Sequence, residues 1–272
     1  MGTNFELTVT ASGRAAVPGA PSGYVEDIFA LEHELWQAVD PTDCMSAILA
    51  GGIPGLSGSA LTERDRANTA QLWTAKNTLL ALETSASVMK GQKRFVTSGQ
   101  ASEGFGGNVK SLASLWTGFT LFLPDIEVNS LVANQALFSI GTGGANSSLL
   151  AFINTLGRMV FHHGVGGGGT SAVTTATVTP GERNTIIFTS HKLGDLNWEA
   201  NIYLNSVTPV ATATINKNLP ASAVGAWFGI DGNSLASNLK SMGGYVLDSA
   251  VSEDADALAA LIDIGQRMRN LD

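Results

Sequence analysis

The sequence is poor in cysteine and in charge. Its 272 residues include a single cysteine, Cys44, so no internal disulfide and no multi-cysteine metal site can form. Charged residues make up 14% of the chain, whereas a typical domain has about 25%. The net charge is −8 and there is no basic run, which predicts repulsion from a phosphate backbone. We therefore expect a buried Cys44 and no nucleic-acid partner.

Long apolar runs are also absent. Residues 128–181 carry Arg158 as their only charged side chain, but polar residues and glycines interrupt them throughout. That pattern predicts no membrane span. The first residues, Met1–Glu6, lack the charged and then apolar regions of a secretory signal. The sequence thus predicts synthesis in the cytosol without membrane insertion.

Residues 1–74 hold most of the helical signal and predict a partly helical N-terminal attachment segment. A second short helix is expected over 42–50, and Glu63–Arg66 predicts a solvated helix start or loop. In the first helix, apolar residues recur at spacings of three and four, which places them on one face: Ile28, Leu31, Leu35, Trp36 and Val39. We expect this stripe to bury either against a partner subunit or against the chain's own sandwich.

Residues 75–251 predict an all-β sandwich, because short apolar runs alternate there with Gly, Ser and Asn. No helix long enough for a parallel crossover separates the runs, so the sheets should be antiparallel. Residues 252–272 predict a C-terminal helix capped by Ser252. The candidate strands are 78–83, 94–98, 118–123, 136–140, 149–154, 158–162, 172–177, 185–190, 198–204, 210–215, 226–230 and 244–247.

The order of these strands resembles the concanavalin A-like lectin/glucanase sandwiches, and among them the LamG-like jelly rolls. The resemblance implies a two-sheet antiparallel jelly-roll sandwich. Ser206 departs from the pattern, because the family usually has glycine after the Tyr203–Asn205 strand end. The segments that carry the resemblance are 116–122, 135–141, 157–161, 180–189, 202–205, 227–230 and 248–252.

The whole chain, rich in Ala, Gly, Ser and Thr, also resembles structural and receptor-binding proteins of tailed bacteriophages. This resemblance implies a non-enzymatic protein on the virion surface, either decorating a capsid or tail or adhering to host-surface glycans. Other virion proteins and further copies of the chain would be its partners. The alternatives are a polysaccharide-active glycoside hydrolase or lyase, and a free carbohydrate-binding lectin.

The acidic spacing of a glucanase is incomplete. Laminarinase-like enzymes place Glu-x-Asp-x-Glu on one strand so that the carboxylates share a face. Asp125 and Glu127 match the last two positions, but Leu123 stands where the nucleophile would be and Pro124 interrupts the strand. We expect an exposed strand end and no enzymatic activity.

Two other sets of residues are candidate binding sites. Trp198, with Asp195, Asn197 and Glu199, is the candidate for stacking on a sugar ring. The alternative is that Trp198 fills the core, which we expect for Trp116 and Trp227. No cofactor is expected apart from calcium, which the loop oxygens of Asp231 and Asn233 could hold.

Overall fold

The apolar runs build two sheets, and two helices cover the outer face of one of them. The computed structural model describes residues 28–50, 54–57, 60–67, 71–76, 80–84, 93–100, 103–111, 115–141, 149–163, 170–216, 225–229 and 237–271. In this part of the chain, eighteen strands form two nine-stranded antiparallel sheets. The predicted two-sheet antiparallel jelly-roll sandwich is confirmed.

The first sheet has the order β15-β14-β13-β8-β17-β6-β5, and β18 pairs with both β8 and β1. Its strands, numbered along the chain, are β1 (Cys44–Leu49), β5 (Ala81–Thr84), β6 (Lys93–Val96), β8 (Gly118–Val128), β13 (Arg183–Lys192), β14 (Trp198–Leu204), β15 (Pro209–Ile215), β17 (Leu239–Ser241) and β18 (Gly243–Leu247).

The second sheet has the order β12-β11-β10-β9-β16-β7-β4-β3-β2. Its strands are β2 (Pro54–Ser57), β3 (Ala60–Arg64), β4 (Leu72–Ala75), β7 (Phe105–Asn108), β9 (Gln135–Ile140), β10 (Leu149–Ile153), β11 (Arg158–His163), β12 (Thr170–Thr177) and β16 (Gly225–Phe228).

The main core lies between the sheets and is rich in aromatic rings. Phe119 of β8 stacks on Phe161 of the opposite sheet with ring centroids 5.6 Å apart, and Phe138 packs on Phe228 at 4.8 Å. Side chains on alternate positions of each strand point into this core. The residues between them therefore face outward, which decides where a ligand could reach the sheets.

The helices α1 (Ile28–Ala38) and α2 (Ala255–Arg269) pack on the outer face of the first sheet. Four members of the apolar stripe, Ile28, Leu31, Leu35 and Val39, are buried there among sheet residues that include Phe122 and Ile187. Trp36 is half-buried, with its ring edge-on to Tyr245 at 5.6 Å. Of the two alternatives for the stripe, the structure shows burial against its own sandwich, so the stripe is not a free attachment or oligomer surface.

Three local expectations for helices are wrong. Residues 42–50 contain strand β1 instead of a helix, because a six-residue apolar run buried on both faces gives no period that distinguishes strand from helix. Asp65 in the expected solvated cluster is fully buried, and Arg66 forms an ion pair with Glu32 of α1. The cap of α2 is Asp254, which accepts hydrogen bonds from the N–H groups of Asp256 and Ala257, and not Ser252.

The division predicted at residue 74 does not follow a boundary in the structure. Strand β1 pairs with β18, and β2 to β4 belong to the second sheet. Residues 28–74, where described, therefore contribute to both sheets and to the helical cover. Residues 1–27 lie outside the described residues.

Candidate functional site

The structure separates the residues predicted to bind a sugar. Trp198 is 2% exposed and points into the core, so its ring cannot stack on a ligand. Glu199 follows it on β14 and faces outward, while Asp195 and Asn197 are exposed on the β13–β14 hairpin. The expectation of a site built on Trp198 is wrong because strand alternation directs this tryptophan inward.

A different tryptophan, Trp227, lies on an outer sheet face. Its neighbours on β16, Ala226 and Phe228, are buried in the core, and Trp227 is half-buried on the opposite side of the strand. The expectation that Trp227 fills the core is therefore wrong. Trp116, in contrast, is buried as expected.

Glycines make room for the Trp227 ring. A Cβ atom at Gly106 of β7 would lie 3.2 Å from Trp227 Nε1 and would collide with the Lys76 side chain. A Cβ atom at Gly225 would lie 3.3 Å from Trp227 Cη2. Larger residues at either position would displace or cover the indole. The sequence thus leaves the half-buried Trp227 ring partly accessible on this sheet face.

The pairing register extends this surface across the sheet. Trp227 pairs with Gly106 on one side and Ser139 on the other, and the row continues through Leu150 to His162. On the far side, Gly106 pairs with Thr74 of β4. We call this row the Trp227 face: Thr74, Gly106, Trp227, Ser139, Leu150 and His162.

His162 supplies a polar group at one end of the Trp227 face. Its Nδ1 atom lies 3.0 Å from Ser171 Oγ of β12. Burial lowers the pKa of His162, because partial removal from water disfavours the charged imidazolium. A neutral imidazole can both donate and accept a hydrogen bond, which matches the hydroxyl groups of a neutral polar ligand.

The Trp227 face contains no carboxylate from the strands that form it. Strands β4, β7, β9, β10, β11, β12 and β16 contain no Asp or Glu. Glycosidic-bond hydrolysis ordinarily needs a pair of carboxyl groups about 5–9.5 Å apart. The strands of this face therefore lack the acid pair for that chemistry.

Asp125 and Glu127, the two acidic residues that match part of the glucanase pattern, lie on the first sheet and form ion pairs with basic side chains. Asp125 is fully buried, and Arg183 binds it bidentately at 2.9 and 3.0 Å. Burial raises the pKa of Asp125, with the Arg183 guanidinium acting in the opposite direction. Glu127 lies 2.5 Å from Arg94 and 3.6 Å from Lys240. The expected exposed strand end is wrong for Asp125, because β8 continues through Pro124 to Val128 with an irregular register to β13.

A second polar surface covers the outer side of β13 and β14. Asn201 Nδ2 donates to Glu199 Oε1 at 3.2 Å, and His191 Nδ1 lies 3.2 Å from Glu253 Oε1. Tyr203 is buried beside these groups, and burial raises its pKa, with Glu199 and Glu253 adding to the effect. This surface has hydrogen-bonding groups but offers no exposed aromatic ring from its described residues.

Neither the internal cavity nor the predicted calcium loop adds a site. The cavity between the sheets measures about 30 Å³, enough for a water molecule but not for a sugar, and Leu80, Phe95 and Leu137 are among its lining residues.

Asp231 and Asn233, the residues predicted to bind calcium, lie outside the described residues. Across the part of the chain that is described, no three His, Cys, Asp or Glu side chains are grouped to hold a metal ion. Neither described helix is long and apolar enough to span a bilayer.

Comparison with known proteins supports the fold. No protein-family model and no curated protein matches the chain in sequence. Among solved structures, the botulinum neurotoxin type G receptor binding domain matches at 12% identity and a TM-score of 0.53, covering 82% of this chain and 51% of that one. The binding domain of Paraclostridial Mosquitocidal Protein 1 matches at 12% identity and a TM-score of 0.56, covering 81% and 52%.

An enzyme is also among the structural neighbours. The Trypanosoma rangeli sialidase matches at 11% identity and a TM-score of 0.53, covering 89% of this chain and 40% of that one. The chain thus spans about half, or less, of the length of these neighbours. At these identities the comparisons show the fold alone, a two-sheet jelly-roll sandwich.

Proposed function

We propose that this protein is a non-enzymatic, lectin-like binding protein that holds a glycan on the Trp227 face. The observation that carries the proposal is the outward position of Trp227 between two glycines, on a sheet face that neither described helix covers. An indole presents a flat apolar surface with one N–H donor, which suits the apolar side of a sugar ring and its flanking hydroxyls.

The dimensions of the face suit an oligosaccharide. Three strand spacings separate Trp227 from His162, which corresponds to about 14 Å at the usual spacing between strands. Ser139 is fully buried, so the hydroxyl group that the row offers to a ligand is that of the half-buried Thr74, and the half-buried Leu150 adds apolar contact. The Lys76 side chain, which lies over Gly106, places one charged group at this face, and its ammonium can donate hydrogen bonds to the hydroxyl groups of a ligand.

A binding role without catalysis is supported by the distribution of carboxylates. The strands of the Trp227 face contribute none, and Asp125 and Glu127 are held in ion pairs with Arg183, Arg94 and Lys240. Two of the structural neighbours are described as binding domains, which agrees with such a role. A hydrolase or lyase is the alternative function. The structural similarity to the sialidase is the observation that favours it, and that similarity concerns the fold.

The biological setting that we propose is the surface of a bacteriophage particle, where the protein would adhere to host-surface glycans or decorate the capsid or tail. The resemblance in sequence style supports this setting. Mass spectrometry of purified particles from the source phage tests it, since a virion protein must be recovered in stoichiometric amounts with the capsid or tail proteins.

Glycan binding is tested by substituting the aromatic platform. We expect the protein to bind members of an immobilised oligosaccharide array, and Trp227→Ala to weaken binding by about tenfold or more, since losing one stacked ring costs roughly 1–3 kcal/mol. Trp36→Ala removes another half-buried tryptophan on the opposite side of the sandwich and serves as the control. Equal binding by Trp227→Ala and the unaltered protein, or no bound glycan on the array, would refute the proposal.

Enzymatic activity is tested on the same material. Any glycan that binds is incubated with the protein and analysed for new reducing ends. We expect none. Release that persists in purified protein and is lost in Glu199→Gln would overturn the non-enzymatic assignment and move the site to the surface over β13 and β14.

A further inference from the structure

The edge strands of the two sheets differ in how they are protected. At one side of the sandwich, the edge strands β2 and β5 have four residues each; β2 begins with Pro54, and β5 carries Glu83. Short length, proline and charge are the usual features that prevent strand addition to an edge. At the other side, the edges are β12 and β15, with eight and seven residues.

Strand β12 is protected only by an irregular register to β11 between Val173 and Thr177, and residues 170–173 pair regularly. Its residues, Thr170–Thr177, include no charge and no proline. Among the described strands it pairs only with β11, so alternate residues direct their N–H and C=O groups away from the sheet. Strand β15, by comparison, begins at Pro209, which cannot donate to a ladder.

An apolar row leads up to this edge. Phe152 of β10 pairs with Val160 of β11, and Val160 pairs with Val173 of β12. All three side chains lie on the outer face, because their strand neighbours Ala151, Phe161 and Ala172 are in the core. Val160 is buried, whereas Val173 at the end of the row is 48% exposed.

The charge distribution favours a second copy of the chain as the occupant of this edge. Two copies that each carry a net charge of −8 repel one another wherever their acidic surfaces meet. Strands β9 to β12 all lie within residues 128–181, where Arg158 is the only charged residue. This end of the second sheet is therefore a surface on which two identical acidic molecules can approach without like-charge contact.

We propose that two copies of this chain associate through β12, edge to edge and antiparallel. A two-fold axis perpendicular to the sheet relates two identical strands in an antiparallel orientation, so the arrangement closes as a dimer. The free N–H and C=O groups of β12 bond to the same strand of the second copy, and the row Phe152–Val160–Val173 continues into its equivalent. This inference does not depend on glycan binding.

The test compares two valines of nearly equal exposure. Val173 is 48% exposed on β12, and Val207 is 50% exposed in the β14–β15 turn. Sedimentation equilibrium should show a reversible dimer of the unaltered chain. Val173→Lys should raise its dissociation constant at least about tenfold, because two like charges are brought together and an apolar contact is lost. Val207→Lys should leave it unchanged.

Hydrogen exchange supplies a second measurement on the unaltered chain. Amides of β12 that point away from β11 should become protected as the protein concentration rises. If Val173→Lys fails to fold, Thr175→Lys on the same exposed side of β12 takes its place. A monomer at all concentrations, a dimer that survives these substitutions, or β12 protection that does not change with concentration would overturn the proposal.

Discussion

Asp65 lies within a run of charged residues, a position that suggests an exposed side chain and a small effect of substitution. We expect, however, that replacing Asp65 by asparagine strongly destabilises the fold. The buried carboxylate accepts four hydrogen bonds. Oδ1 accepts from the N–H groups of Ala47 and Ala67 at 3.1 and 2.9 Å, and Oδ2 accepts from Ser46 Oγ and Trp73 Nε1 at 2.7 and 2.8 Å. Because β1 belongs to the first sheet and β4 to the second, Asp65 ties the two sheets together.

The geometry gives the size of the effect. Asparagine has one accepting oxygen and one donating NH2 group, so it cannot accept on both sides. If its oxygen serves the two backbone N–H groups, its NH2 faces the Trp73 N–H, which can only donate. One buried donor left without a partner costs about 1–3 kcal/mol, and the remaining bonds lose their charge assistance. We expect Asp65→Asn to lower the free energy of unfolding by roughly 3–5 kcal/mol.

Urea denaturation followed by tryptophan fluorescence and circular dichroism measures this change. Asp195→Asn, the same substitution at an exposed hairpin position, should change stability by less than about 0.5 kcal/mol. In the double variant with Trp73→Phe, the stranded donor is gone, so the two losses should fall short of additivity by about 1–3 kcal/mol. A cost below 1 kcal/mol for Asp65→Asn, or strict additivity, would show that the reasoning is wrong.

Two further predictions concern single residues. Asn205 has a left-handed backbone (φ 55°), and its side-chain oxygen accepts a hydrogen bond from the Thr185 N–H at 2.8 Å. In thermal denaturation, Asn205→Gly should lose only the stability that the side-chain hydrogen bonds contribute, and Asn205→Ala should lose about 1 kcal/mol more. Equal losses of stability in the two variants would contradict the backbone requirement. Because burial lowers the pKa of His162, the unfolded chain binds more protons below about pH 6.5, and stability should fall as the pH drops below that value. His162→Gln should flatten this slope in urea titrations at several pH values, and an unchanged slope in His162→Gln would contradict the assignment.

Sequence reasoning located most of the sandwich but little of its N-terminal third. Strand β14 was predicted with its observed bounds, and β8 began at the predicted Gly118, because polar and apolar residues alternate clearly there. Strand β1 was missed because both of its faces are buried, which removes the alternation. The short strands β2, β3 and β7 contain glycine or charge and give almost no periodic signal.

The tryptophan of the candidate site was not predicted from the sequence, which indicated Trp198 instead of Trp227. Asp195 and Glu199 lie near Trp198 in the sequence, which suggested a sugar contact. Whether a tryptophan faces outward, however, depends on which side of its strand packs against the other sheet. Gly225, two residues before Trp227, was the one signal in the sequence, and Gly106 completes the space for the indole only in the folded sheet. Only pairing between distant strands brings Gly106 to Trp227, and a single sequence does not show that.

The pairing of β1 with β18 has a consequence for how the protein reaches its fold. About two hundred residues separate these partners along the chain, and closing a loop of that length costs roughly 5 kcal/mol of chain entropy. On the ribosome, Cys44–Leu49 has no partner until residues 243–247 have been synthesised. An apolar strand that is exposed for that interval is prone to wrong pairing. Recombinant yield should therefore respond to slower translation and to chaperone supply more strongly than the stability of the finished sandwich would suggest.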